Sequence, residues 1–380
     1  MPPKGQLTRE HTSNQISLTS EGKLQPVPPQ LPIKTTSTTY IAMEILQNLM
    51  STNSASSKEV NDSITTLVDR LSHSTLLSDR RAAVLGLKSF SRQYRETVIA
   101  NSLKHLVLTL QKDGADLDMV KAILETLLIL FIRGEGDQDL TRDWISQQSR
   151  LKNGKYPSPT LLANDVIADQ FSLWISDELT QSVVVIDLLV DFLELDDIHI
   201  RLYSLQLLQA LISTRPQRTK QLILKSPAAV SKLCATLNVS YEPIRNECIL
   251  LLMGVVKDNF NIQKLVVFEN AFDILYAIIE QEGGIEGNIV VQDCLSLISN
   301  LLKYNSTNQK FFIETNCLLK LAQLIQQPLV ESELGPIVWN DQRLQNLITT
   351  LDTVRLFVVD GTQGISQMQT AMVDSQRPSR

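Results

Sequence analysis

From residue 58 to about residue 360 the apolar side chains recur with helical rather than strand periodicity. Leu124, Leu127, Leu128 and Phe131 fall at i, i+3, i+4 and i+7, and Cys248, Leu251, Leu252 and Val255 repeat the pattern. That spacing puts each set on one face of an α-helix. Period-two alternation bounded by hairpin turns is missing, so the chain is expected to be all-α. The folded body is expected to open with NDSITTLVDRL, where Asp62 or Ser63 serves as N-cap.

The helical segments resemble one another. HIRLYSLQLLQALI, PIRNECILLLMGVV and VVQDCLSLISNLL align with Ile200, Ile244 and Val291 in register, anchors 44 and 47 residues apart. A polar break and a second helix follow each, with Val230/Leu233, Phe272/Leu275 and Leu318/Leu321 at equivalent i, i+3 positions. An earlier copy runs through SDRRAAVLGLKSFSRQYRE and places Leu103/Leu106 as its second-helix pair. A helical period of 40 to 47 residues is the mark of armadillo or HEAT arrays, an α-solenoid in which each unit covers its neighbour's apolar face.

The pattern fails in four places. Residues 1–41 are rich in Pro, Thr, Ser and Gln with few large apolar side chains, and are expected to be a disordered leader. Residues 42–57 hold a short amphipathic helix and linker, since Ala42, Ile45, Leu46, Leu49 and Met50 share a helical face. Residues 133–168 interrupt the repeats as an insertion, and 361–380 form an irregular tail. The insertion carries RGEGDQD and NGKYPSP, which invite a phosphate-loop reading. Gly134 and Gly136 lack a following GK[ST], and Tyr156-Pro157 after Gly154-Lys155 opposes a helix start, so the spacing fails.

Composition then excludes several functions. A net charge of -6 removes the general attraction to phosphate backbones, and nucleic acid is not an expected partner. No apolar run is long enough for a membrane span, because Asp187 and Asp191 interrupt even VVVIDLLVDFLEL. Cys234, Cys248, Cys294 and Cys317 each lie in an apolar segment and are read as buried, reduced thiols. His11, His73, His105 and His199 are too scattered for a zinc site, and His199 is read as an exposed helix residue. With no nucleophile beside a base, no catalytic, cofactor-binding or metal residue is expected. STRPQRTKQLILK, with Arg215, Arg218, Lys220 and Lys225, is read as a solvated inter-repeat turn, with a patch for an acidic partner or lipid headgroup as the alternative.

Several stretches carry a more specific resemblance. LSDRRAAVLGLKSFSRQYRE, DLTRDWISQQSRLKNGKYPSP, DQFSLWISD, IQKLVVFENAF, VVQDCLSLISNLLKYNSTNQ and WNDQR resemble the globular head of the general vesicular transport factor family over roughly residues 43–359. The resemblance implies an armadillo-like head without enzymatic activity. It implies work in vesicle tethering and docking, in endoplasmic reticulum to Golgi and intra-Golgi transport. The implied partners are Rab-type GTPases, SNARE proteins and golgins or other tethers. The implied location is the cytoplasm, peripheral on the cytosolic face of Golgi and vesicle membranes. Two head stretches of that family correspond to residues 67–96 and 199–272.

Arg80, Arg81, Arg92, Tyr94, Arg95, Arg201, Arg245, Phe268, Glu269 and Asn270 in those stretches are therefore candidate partner contacts. Trp144 joins them from the insertion, where it is expected to pack on the rod with Ile145. Ile45, Leu46, Leu49 and Met50 form a candidate membrane or SNARE helix. Family heads begin near a segment like MEILQNLM and continue into further repeats and a dimeric coiled coil. Met43 is accordingly expected as the natural start and the chain as a truncated head, a homodimer only if the tail is present. An armadillo cargo adaptor or general scaffold outside the Golgi is the alternative. The W-x-x-x-N ladder of such adaptors is not matched, since Gln148, Glu178 and Arg343 follow Trp144, Trp174 and Trp339.

Overall fold

The computed structural model describes residues 55–132, 170–331 and 340–358, all of it helices and short connections without a strand among the described residues. The leader, the 42–50 helix with Ile45, Leu46, Leu49 and Met50, the insertion with Trp144, and the tail lie outside the described residues. Helices α1 (Ala55–His73), α2 (Leu77–Ser91), α3 (Arg95–Lys112) and α4 (Leu117–Ile132) precede the insertion. After it come α5 (170–179) and α6 (Val183–Asp191).

Three units of one design follow. They are α7 (Ile198–Thr214), α8 (Pro216–Lys225) and α9 (Ala229–Thr236); then α10 (Glu242–Val256), α11 (Phe260–Phe268) and α12 (Ala271–Gln281); then α13 (Ile289–Leu302), α14 (Ser306–Glu314) and α15 (Cys317–Glu331). Helix α16 (Asp341–Val358) closes the described chain. The long helices stack in a ladder, α2 on α4, α4 on α7, α7 on α10, α10 on α13 and α13 on α16. One apolar core therefore runs from Ile64 to Phe357. The anchors Ile200, Ile244 and Val291 lie at its centre, each fully buried, with Leu233, Leu275 and Leu321 of the companion helices.

Two expectations need correction. Helix α1 starts at Ala55, so Asp62 and Ser63 are internal, and the Ser63 hydroxyl donates to the Glu59 carbonyl at 2.8 Å. Serine satisfied by the carbonyl four residues back does not stop a helix, and Val60 extends the apolar face of Ile64, Val68 and Leu71. The unit also has three helices rather than two, because the polar break between the long and the companion helix is itself helical.

These short helices have local causes. Pro216 starts α8, while Asn259 and Asn305 cap α11 and α14 by accepting from the amides of Ile262 and Asn308. Left-handed residues reverse the chain at equivalent points, Asp258 and Tyr304 before the short helix, Asn270 and Asn316 after it. Asparagine tolerates that conformation better than most residues.

Long helices approach closely where side chains are small. A Cβ on Gly254 of α10 would lie 2.5 Å from Ile212 Cγ2 of α7, so glycine is required for this packing distance.

Candidate functional site

Lateral bonds within and between units claim most of the basic residues picked out by sequence. Arg80 Nε and Nη2 donate to the Asp113 carboxylate at 2.7 and 2.8 Å, and Nη1 donates to the carbonyls of Ser74 and Thr75. Arg81 pairs with Asp116 at 2.6 Å and Asp118 at 3.2 Å. Arg95 is buried, donates from Nε to the Leu130 carbonyl at 2.5 Å, and lies 5.5 Å from the Phe171 ring centroid. Arg245 is buried and pairs with Glu282. Arg80 and Arg245 thus brace the helices of their own units, and Arg95 joins one unit to the next.

The basic stretch from Arg215 to Lys225 is also corrected, from a solvated turn to a turn and helix bonded into the rod. Arg215 clamps Asp177 with two bonds of 2.7 and 2.8 Å, and Arg218 donates to the Thr180 carbonyl at 2.9 Å. Buried Lys220 donates its ammonium to the Lys257 carbonyl at the end of α10, and burial pushes its pKa below the usual lysine value. Gln263 repeats the device one unit on, donating to the Asn300 carbonyl of α13 at 2.9 Å. These donors satisfy carbonyls that a helix C-terminus leaves open.

The remaining candidates are more accessible. Arg92 and Tyr94 are exposed in the turn between α2 and α3, and Arg201 is half-buried near the start of α7. Phe268 is 84% exposed at the end of α11, beside Glu269, which accepts from the Ser231 hydroxyl, and the left-handed Asn270. Trp174 packs edge-on against Phe171, with ring centroids 5.1 Å apart, and is partly buried against the core. His199 is exposed, as its position near the helix start implies.

A groove of about 570 Å³ runs along the C-terminal halves of the stacked long helices. Gln209 of α7, Met253 and Gly254 of α10 and Asn300 of α13 line it, with Lys257 and Lys303 in the turns that follow α10 and α13. Gln209, Met253 and Asn300 each lie nine residues after the aligned anchors Ile200, Ile244 and Val291, so the register already marked this row. Gln209 is 3% exposed, and its Oε1 has no hydrogen-bond donor among the described residues.

The four cysteines are buried and free, and burial pushes the thiols of Cys234 and Cys294 up to about 12. Among the described residues no cluster of three His, Cys, Asp or Glu could hold a metal, and no helix is long and apolar enough to cross a membrane.

No protein-family model matches the chain. The intracellular protein transport protein Uso1 of Saccharomyces cerevisiae is 54% identical over 334 residues, 88% of this chain and 18% of its own length. The general vesicular transport factor of Homo sapiens is 35% identical over 317 residues, 83% of this chain and 30% of its own. The chain therefore spans less than a third of either relative. The crystal structure of Uso1-2 matches with a TM-score of 0.75 at 54% identity, over 85% of this chain and 47% of that one. A computationally designed armadillo repeat protein matches at 13% identity with a TM-score of 0.50, over 76% of this chain and 99% of its own, a likeness of fold alone.

Proposed function

The chain belongs to the family of Uso1 and the general vesicular transport factors, and we propose that it forms an armadillo-type head of a vesicle tether. In this reading it works between the endoplasmic reticulum and the Golgi, peripheral on the cytosolic face of the membrane. It acts by recognition and not by catalysis. The observation that carries the reading is the 54% identity to an intracellular protein transport protein across 88% of the chain.

The finer assignment is to a Rab-type GTPase, SNARE proteins and golgins as partners. The rod favours it physically. A standard protein interface buries about 1,600 Å², which occupies only a few repeats, so separate partners can dock at different heights. Arg92 and Tyr94 at one height and Phe268 with Asn270 at another are accessible for such contacts. The apolar face of Ile45, Leu46, Leu49 and Met50 adds a weak lipid or SNARE contact, marginal for one short helix. Trp144 supplies a further anchor from the insertion, and dimerisation depends on a coiled-coil tail.

Pull-down of the purified chain with nucleotide-loaded Rab proteins and Golgi SNAREs tests the assignment. Binding selective for one GTP-loaded Rab is expected, weakened by Phe268→Ala without loss of helicity. No binding above background across the panel would remove the tethering reading and leave a general scaffold.

A further inference from the structure

We propose that the outward faces of the short helices α11 and α14 form a lipid-contacting ridge that lays the rod on an anionic membrane surface. The proposal rests on the peripheral membrane reading of the chain and names the surface that carries it.

The repeat turns the two faces the same way. Ile262 and Val266 of α11 are buried in the rod at positions matched by Asn308 and Phe312 of α14, 46 residues further on. The two helices pack beside each other. The residues opposite the buried ones, Phe260, Lys264 and Leu265 on α11 and Lys310 and Phe311 on α14, are all exposed.

Tyr304 is the second observation. It sits in the turn that leads into α14, 82% exposed, with φ of 56°. That left-handed conformation is strained for a bulky side chain. The equivalent turn before α11 uses Asp258, which tolerates it better. A ring held on strained backbone and left in solvent is placed for a contact outside the rod.

The third is charge. Lys257 and Lys303 are exposed in the equivalent turns, and Lys264 lies on the ridge itself. None of the three forms an ion pair among the described residues, and Lys303 reaches only the Asn300 carboxamide oxygen at 3.5 Å. Of the carboxylates on these helices and turns, Glu314 pairs with Lys310 at 3.7 Å and Glu269 accepts from the Ser231 hydroxyl, which leaves Asp258 to oppose three lysines.

Rings and an aliphatic side chain set among lysines match the boundary between anionic headgroups and acyl chains. The apolar groups enter and the ammonium groups stay at the phosphates. Protein interfaces are enriched in arginine and depleted in lysine, and all three unpaired cations here are lysines. Single-stranded nucleic acid stacks its bases on rings, and Leu265 has none. A bilayer takes protruding side chains without a matching pocket.

Co-sedimentation of the 380-residue chain with vesicles of phosphatidylcholine and phosphatidylserine at about 3:1 tests the ridge. Saturable binding is expected, weakened by salt and lost on phosphatidylcholine alone. Lys257→Ala/Lys264→Ala/Lys303→Ala should reduce affinity by at least about tenfold, since each lysine near such a surface is worth about fivefold. Tyr304→Asn should weaken vesicle binding severalfold yet hold or raise the urea midpoint, because asparagine suits left-handed backbone; a tyrosine kept for packing would lower the midpoint. A nitrobenzoxadiazole label on Tyr304→Cys, selective because the native thiols are buried, should brighten on these vesicles, and the same label on Leu108→Cys of α3 should not. Phe268 is left unaltered, so that its protein contact is read separately. Absence of vesicle binding with Rab binding intact would overturn the ridge alone, and absence of both would overturn the tethering reading with it. Binding unchanged in the lysine and Tyr304 variants but abolished by Leu46→Asp/Leu49→Asp would move the membrane contact to the 42–50 helix and overturn the ridge. So would tighter binding to single-stranded RNA than to vesicles, or loss of Rab or SNARE binding in Tyr304→Asn with vesicle binding untouched.

Discussion

Replacing Arg80 by methionine removes one cation and four hydrogen bonds from the α2–α3 edge of the rod. The guanidinium and the Asp113 carboxylate have side chains only 9% exposed, and the pair is bidentate. After the substitution Asp113 keeps its charge without a counter-ion, and the Ser74 and Thr75 carbonyls lose their donor at 3.0 and 3.1 Å. Breaking one partner of a buried pair costs about 3–5 kcal/mol, and the lower end applies at the edge of a rod, where water reaches the exposed side. Arg80→Met/Asp113→Leu leaves only the two carbonyls open, so it should recover about half of the loss. Urea unfolding followed by far-ultraviolet circular dichroism reads both variants. With an m-value of about 2 kcal/mol/M, a 3 kcal/mol loss moves the midpoint down by about 1.5 M. Hydrogen exchange should place the change in α1 to α4. If the single variant loses less than about 1 kcal/mol, the pair behaves like an exposed one and the structural role assigned to Arg80 is wrong. Equal losses in the single and double variants would show that the stranded carboxylate is not the cause.

Phe312 is fully buried and packs edge-on to Phe272 and stacked on Phe357, with centroids 4.9 and 5.6 Å away. Phe312→Ala should cost about 3–5 kcal/mol, with faster hydrogen exchange in α14 and α16 and none of it in α1 to α4. The Asp197 carboxylate accepts from the amides of His199 and Ile200 at the start of α7, and the Ile200 bond chiefly lowers its pKa. Its stabilisation is present above the unfolded value of about 3.9 and is lost as pH falls through the lower folded value. Asp197→Ala should cost about 1 kcal/mol at neutral pH, and the gap to wild type in urea midpoints should close towards pH 3. The four buried cysteines should resist N-ethylmaleimide at about pH 8 in the native state and all react in denaturant, since burial disfavours the thiolate. Rapid native alkylation seen by mass spectrometry would contradict the burial.

The long helices were legible because their anchors recur at one period, and Ile200, Ile244 and Val291 all lie in the core. The short helices were not. PQRTKQLILK and STNQKFFIE last about two turns, carry few apolar residues, and are specified by a proline or an asparagine cap that equally signals a turn. Basic residues were misjudged for a different reason. Periodicity tells which face of a helix is apolar, but not whether a polar edge meets water or the next unit. The separations held the answer: Arg80 and Asp113 are 33 residues apart, while Lys220 with Lys257, Arg245 with Glu282 and Gln263 with Asn300 are each 37 apart. Polar residues paired a little less than one repeat apart are candidates for lateral bonds within or between units. The groove row was equally present, nine residues beyond each anchor, but Gln, Met and Asn carry no chemical signature until they are stacked.

The two edges of the insertion touch. The Ser172 hydroxyl donates to the Phe131 carbonyl at 3.3 Å, while Arg95 grips Leu130 and Phe171 together. The chain leaves the described rod at α4 and re-enters it at α5 beside the same turn, and these contacts join the two helices directly. The seam between α4 and α5 is thus closed by a hydroxyl, a guanidinium and a ring drawn from three helices of the rod itself.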